Sequence, residues 1–133
     1  MPYRILEHTA DIGIEASAAD IPSLFSEAVR ATAAVILDAD PPAGNERTSV
    51  SAGSDDPATL LAAVLSEALW HFESTSALPV AADLEVSDTT ATGTFRVVRD
   101  VVVGGPAIKA VTYHQLSVER AGDGWRACVY FDV

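Results

Sequence analysis

The stretch "AGDGWRACVYFDV", residues 121–133, carries the clearest fold signal in this chain. Its Asp-Gly pair at 123–124 favours the positive backbone angles of a tight hairpin turn. After the turn, apolar and polar residues alternate, and the apolar set is Trp125, Ala127, Val129 and Phe131. The polar face carries Arg126, Cys128, Tyr130 and Asp132. A period of two residues is typical of a strand with one buried face, so the stretch predicts the second strand of an antiparallel hairpin.

The rest of the chain extends this pattern with further strands and two helices. Strands are predicted at residues 3–6, 12–18, 47–53, 79–87, 92–100 and 108–120. Helices are predicted at residues 19–38 and 54–75, where apolar residues recur every three or four positions. Asp20 and Asp56 are the predicted N-caps, each followed by a proline in the first turn. We therefore predict an α+β domain, with a largely antiparallel sheet of about six or seven strands and both helices packed on it.

Length and composition narrow the class of protein. The chain has 133 residues and is 49% hydrophobic, which predicts one folded domain over residues 1–133 and argues against disorder. A single cysteine, Cys128, excludes an internal disulfide framework and gives no support to a thiolate metal site. The N-terminus has no apolar signal region and no stretch is long enough to span a membrane, so we expect a cytoplasmic protein with no membrane partner.

The charge is strongly negative, with 19 acidic residues against 8 basic ones and a formal net charge of −11. Such a chain repels polyanions, so we expect no stable binding to naked nucleic acid. A basic protein partner or divalent cations fit better, although an acidic surface also serves solubility alone. No glycine-rich phosphate loop opens either predicted helix, which leaves nucleotide binding of the common kinds unsupported.

A candidate site begins in "EHTADIGIEA", residues 7–16, where Asp11 lies three residues after His8. The sequence ends with Asp132 followed by Val133 and its α-carboxylate. The carboxylates of Asp132 and of the Val133 chain end are one residue apart, so they repel each other unless a cation or hydrogen bonds offset the charge. Hard cations prefer such oxygen ligands. Asp11 adds a third donor only if the first and last strands lie near each other. The alternatives are an Asp11 that caps a turn and an Asp132 that is simply solvated.

Three other features of the chain have open interpretations. Gly13 suggests a close approach by another backbone. His8 and His114 are either ligands or half-buried histidines. Lys109, the only lysine, either holds the acidic residues together, contacts a partner, or is an exposed charge that discourages strand pairing.

Three long motifs resemble the archease family: "HTADIGIEA", "KAVTYHQLSV" and "WRACVYFDV". The helix "LLAAVLSEALWHFEST" fits the same pattern, and the resemblance runs from residue 3 to residue 133. The resemblance implies a protein cofactor, not an enzyme, that activates the RtcB-type RNA ligase in tRNA splicing and RNA repair. That ligase joins 2′,3′-cyclic-phosphate or 3′-phosphate ends to 5′-hydroxyl ends with GTP and Mn²⁺. Archeases promote its guanylylation and its multiple turnover.

The same resemblance implies a divalent-metal site and a partner-binding surface. The implied metal ligands are Asp11, Asp132 and Val133, with Ca²⁺ expected in the isolated protein and Mn²⁺ or Mg²⁺ as alternatives. The residues expected to face the ligase are His8, Lys109, Tyr113 and His114. The sequence does not decide the oligomeric state, so formation of a homo-oligomer is left open.

Two other functions compete with ligase activation. One is a chaperone-like modulator of a tRNA methyltransferase, a role also proposed for archeases. The other is a metal-dependent hydrolase that uses His8, Asp11 and His114. The hydrolase is disfavoured because no nucleophile–base pair is evident in the sequence.

Overall fold

The computed structural model describes residues 2–7 and 11–133 of the chain. This part of the chain forms two helices and seven strands, which confirms the predicted α+β class. The strands are β1 (Tyr3–Glu7), β2 (Asp11–Ala18), β3 (Glu46–Gly53), β4 (Leu78–Val86), β5 (Thr90–Val98), β6 (Ala110–Ala121) and β7 (Gly124–Asp132). The helices are α1 (Ile21–Leu37) and α2 (Pro57–Thr75).

The seven strands divide into two antiparallel sheets, whereas the sequence had predicted one largely antiparallel sheet. The first sheet has the order β1-β2-β7-β6 and the second has the order β3-β5-β4. Helix α1 packs on β2 of the first sheet and on β4 of the second. Helix α2 likewise packs on β6 and on β3, so the two helices connect the sheets.

The division into two sheets follows from how apolar α1 is. Its buried residues extend over more than one face of the helix and are Leu24, Phe25, Ala28, Val29, Ala31, Thr32, Ala33, Ala34, Val35 and Ile36. From residue 23 to residue 36, only the stripe with Ser23, Ser26, Glu27 and Arg30 is not buried, and the remaining surface is wider than one sheet can cover, since a sheet covers only one face. Within the described residues, no helix is both long enough and apolar enough to cross a membrane.

Strand β7 lies between β2 and β6 and completes the core of the first sheet. It pairs with β2 over eight residues, from Asp11 opposite Asp132 to Ala18 opposite Trp125. Ala127, Val129 and Phe131 are at most 1% exposed, which confirms the buried face predicted for residues 125–133. Because β7 is the last strand, this pairing brings the two ends of the described chain together on one sheet.

Both helices begin at the predicted N-caps. The Asp20 carboxylate accepts a hydrogen bond from the backbone N–H of Ser23 at 2.8 Å, and Asp56 accepts one from Thr59 at 2.9 Å. Each cap satisfies an N–H group that has no partner within its helix. The hydrogen bond from the Thr59 N–H lowers the pKa of Asp56 below its ordinary value of 3.8.

We expect Asp56→Ala to lower the urea midpoint of unfolding at pH 7, because the first turn of α2 loses its cap. The folded-state pKa of Asp56 lies below the unfolded value, so this stabilisation is complete above about pH 4 and is lost as the pH falls through the folded-state pKa. Asp56→Asn is the matched control, since asparagine caps as well as aspartate but does not titrate. Urea midpoints at pH 7 and pH 3 measure both effects. Equal midpoints for wild type and Asp56→Ala at pH 7 would contradict the role of the cap.

Candidate functional site

Asp11 and Asp132 face each other across the β2–β7 ladder. They are direct cross-strand partners, so their side chains lie on the same face of the sheet. Asp132 is exposed, Asp11 is half-buried, and Val133 follows Asp132 at the end of β7. The sequence analysis required the first and last strands to lie near each other, and the strand that lies beside β7 is the second one, β2, which begins at Asp11. We name Asp11 and Asp132 the acidic row.

The backbone of Asp132 is paired on both sides. On one side it pairs with Asp11, and on the other with Ala110 of β6. The backbone N–H of Lys109 donates to the carbonyl oxygen of Asp132 at 2.7 Å. The backbone that carries the Asp132 carboxylate is therefore fixed by the sheet on both sides.

The acidic row takes part in no ion pair in the part of the chain that the structure describes. Neither Asp11 nor Asp132 forms an ion pair with a described residue, whereas Arg4 pairs with Glu15 at 3.1 Å on the same sheet. Two unpaired carboxylates that face each other are the oxygen donors that Ca²⁺, Mn²⁺ and Mg²⁺ prefer. This donor chemistry fits a divalent cation.

The acidic row alone does not complete a metal site. Among residues 2–7 and 11–133, no group of three His, Cys, Asp or Glu side chains is close enough together to hold an ion. A third donor from the chain would therefore be the α-carboxylate of Val133 or a residue outside the described part. His8, predicted from the sequence, lies outside the described residues.

A second row lies next to the acidic row on the same face and consists of Gly13, Tyr130 and Thr112. The Tyr130 ring lies against Gly13, where an added Cβ would be only 2.6 Å from Cε1 of the ring. The sequence had suggested that Gly13 admits another backbone, and this was wrong, because the close neighbour is an aromatic side chain. The hydroxyl of Thr112 donates to the carbonyl oxygen of Tyr130 at 3.1 Å.

Strand β6 leaves its regular pairing beside this second row. Its register against β7 shifts between Thr112 and Ser117, and Gln115 adopts a φ of 52°. A β-bulge of this kind redirects side chains, often next to functional sites. Here the His114 ring contacts the Tyr130 ring edge-on, with centroids 5.9 Å apart and planes at 62°. Tyr113 is 72% exposed.

Lys109 lies immediately before β6 and is exposed. It forms no ion pair with any described residue, so among those residues nothing supports its holding the acidic row together. Its side chain is exposed one residue before Ala110, the residue that pairs with Asp132. The structure therefore places the Lys109 backbone beside Asp132, whereas Tyr113 and His114 lie further along β6, where its register against β7 shifts.

Cys128 occupies the next row, opposite Glu15 and Ser117. Burial raises the pKa of its thiol, so it stays protonated at neutral pH and adds no anionic sulfur ligand.

The contact of Tyr130 with Gly13 and His114 was missed by sequence reasoning. The available signal was an aromatic residue two positions before Asp132 and a glycine two positions after Asp11.

Two grooves lie elsewhere on the surface, away from the acidic row. One of about 780 Å³ runs between the start of α1 and strands β4 and β5, and includes Ser23, Glu27 and Asp83. The other, of about 630 Å³, lies beyond the C-terminus of α1. The acidic row lies instead on an open sheet face, a geometry that suits contact with a macromolecule better than enclosure of a small substrate.

Comparison with known proteins gives one consistent answer. The chain is 32% identical over 139 residues to the protein archease of Methanosarcina acetivorans, covering 98% of this chain and 95% of that protein. It is 30% identical over 139 residues to the protein archease of Archaeoglobus fulgidus, and the match covers both chains completely.

Solved structures show the same fold. A solution structure from Methanobacterium thermoautotrophicum is similar with a TM-score of 0.78, at 23% identity and over 99% of both chains. A crystal structure from Thermotoga maritima, described as an archease and possible chaperone, is similar with a TM-score of 0.67 at 25% identity. That match covers 98% of this chain and 96% of the other. The model of the archease protein family matches residues 3–133, and this chain therefore belongs to the archease family.

Proposed function

We propose that this archease is a protein cofactor of an RtcB-type RNA ligase and that it binds a divalent cation at the acidic row. The observation that carries the proposal is the direct pairing of Asp11 with Asp132, without a cationic partner among the described residues. Membership of the archease family supports the general function. The ligase partner, the metal and the cytoplasmic location are the finer parts of the proposal.

The metal would be held by the carboxylates of Asp11 and Asp132 and the α-carboxylate of Val133. Ca²⁺ accepts six to eight oxygen ligands in flexible geometry, so three carboxylates and several waters suit it. Mn²⁺ and Mg²⁺ are the alternatives inside a cell. When bound, the cation would supply positive charge that favours anionic groups of the ligase–nucleotide complex.

Docking on the ligase would use the surface next to the acidic row. Lys109, Tyr113 and His114 are exposed in β6 and immediately before it, and exposed tyrosines are frequent anchors of protein interfaces. The net charge of −11 favours a basic partner and disfavours free nucleic acid. In this role the protein has no reaction of its own and acts by completing or reorganising the ligase active site.

A second candidate is a chaperone-like modulator of a tRNA methyltransferase. It is favoured by the description of the Thermotoga maritima structure as a possible chaperone. Parallel assays separate the two functions. Ligase activation predicts faster formation of the ligase–guanylate intermediate, and methyltransferase modulation predicts altered methylation of tRNA without any effect on the ligase.

We expect Asp11→Ala and Asp132→Ala to fold normally but to lose most of the stimulation of ligase guanylylation. Substitutions of surface residues usually change stability by less than about 0.5 kcal/mol, whereas removing a carboxylate from a metal site sharply lowers cation affinity. Asp88→Ala is the matched control, because Asp88 is exposed in the turn between β4 and β5. The yield of radiolabelled ligase–guanylate measures the effect. Wild-type stimulation by both acidic-row variants would exclude a function of the row.

We expect Lys109→Met to reduce ligase stimulation several-fold while leaving cation affinity nearly unchanged. The reason is that Lys109 forms no ion pair with the described acidic residues and would contact the ligase instead. Lys109→Arg retains the positive charge and should restore much of the stimulation. Guanylylation rate against archease concentration measures the loss. Full stimulation by Lys109→Met would leave Lys109 as an exposed edge charge only.

We expect a C-terminal tag to weaken cation binding more than an N-terminal tag. The tag converts the α-carboxylate of Val133 into an amide and removes one negative charge from the site. The core should be unaffected, because Phe131 and Val129 remain buried in the sheet. Melting temperatures of both tagged proteins, with chelator and with increasing Ca²⁺ or Mn²⁺, test this. Equal metal-induced stabilisation would remove Val133 from the ligand set and leave Asp11 and Asp132.

A further inference from the structure

We propose that Tyr130, held between Gly13 and His114, is a positioning residue that fixes the carboxylates of the acidic row and so sets the affinity of the site for divalent cations. The inference rests on the proposed metal site and adds to it a residue that is not itself a ligand. The contacts of Tyr130 with Gly13 and His114 are visible without any metal, so they can be tested separately.

The first support is the contact with Gly13. Gly13 is buried, and a Cβ at this position would lie 2.6 Å from Cε1, 2.9 Å from Cδ1 and 3.0 Å from Cζ of Tyr130. Only the absence of a side chain allows the ring to lie this close to β2. The ring therefore crosses from its own strand, β7, to the strand that carries Asp11.

The second support is the contact with His114. Regular strand pairing ends at Thr112, and the bulge that follows brings the His114 ring edge-on to Tyr130 at 5.9 Å. Edge-to-face aromatic contacts of this kind are favourable beyond the area they bury. The Tyr130 ring is thus enclosed by β2 on one side and by the β6 bulge on the other.

The enclosed ring limits where the two carboxylates can go. Tyr130 is two residues from Asp132 and Gly13 is two residues from Asp11, a step of roughly 6.6 Å along each strand. Two carboxylates that repel each other tend to turn apart, and the ring occupies the space on one side of them. The side toward Val133 lies away from the ring, and carboxylates that turn that way would be able to share a cation. A half-buried ring also displaces water, which strengthens charge interactions beside it.

The contact itself is tested by thermal unfolding in chelator with Gly13→Ala, Tyr130→Ala and the double variant. We expect Gly13→Ala to remain folded, since the outer part of the Tyr130 ring can move away from the added methyl group. Relative to Tyr130→Ala, the double variant should show no further loss, because the methyl group then meets no ring. Additive shifts of the two single changes would show that the contact is absent in solution.

The positioning role is tested by calorimetric titration of the same proteins with CaCl₂ and with MnCl₂. We expect Tyr130→Ala and Gly13→Ala to weaken cation binding by about tenfold or more, the range typical of residues that orient metal ligands. Tyr130→Phe keeps the ring and should stay within about threefold of wild type. His114→Ala, which removes only one support, should be weakened by less than Tyr130→Ala.

The outcomes separate this inference from the proposed function. If wild type binds neither cation, the metal site itself is wrong and the positioning role fails with it. If wild type binds and Tyr130→Ala binds equally well, the positioning role alone is overturned. If Tyr130→Phe loses as much affinity as Tyr130→Ala, the ring is not the positioning element, and the inference is also overturned.

Discussion

The pairing of β2 with β7 is the interaction on which the rest of this structure depends. It joins the beginning of the chain to its last strand through eight consecutive residue pairs. On one face of these strands, Ile14, Val129 and Phe131 complete the core against the helices. On the other face the same register sets Asp11 against Asp132. A shift of one residue would exchange the two faces, so core and candidate site are fixed together.

Burial of α1 is the second constraint. Ala31, Ala33 and Ala34 are as well buried as the larger residues of the helix, and their small side chains allow close approach from several sides. Strands of both sheets pack on this helix. The sheets in turn leave their outer faces in solvent, where polar ion pairs such as Arg96 with Asp83 at 2.8 Å are found. The acidic row differs from these pairs because it takes part in no ion pair among the described residues, which makes it a candidate for binding a cation.

Much of the fold could be predicted from local patterns. The two N-caps, the positions of the helices and the buried face of residues 125–133 all followed from neighbouring residues, and the structure confirms them. The division into two sheets could not be predicted in this way. It depends on α1 being covered on opposite sides. The helical spacing in the sequence indicated only one apolar stripe, which did not include Ala31, Ala33 and Ala34.

The sequence by itself determined the chemistry available at the candidate site. It supplies the carboxylates of Asp11 and Asp132, together with the side chains of Lys109, Tyr113, His114 and Tyr130. Only the tertiary structure decided which of them meet. Asp11 and Asp132 are opposite each other because strands far apart in sequence pair, and Tyr130 reaches Gly13 because neighbouring strands of a sheet lie about 4.8 Å apart. The bulge that brings His114 to Tyr130 interrupts the alternation on which the strand predictions rest. Local periodicity reports which face a residue takes, but strand order and register decide its neighbours.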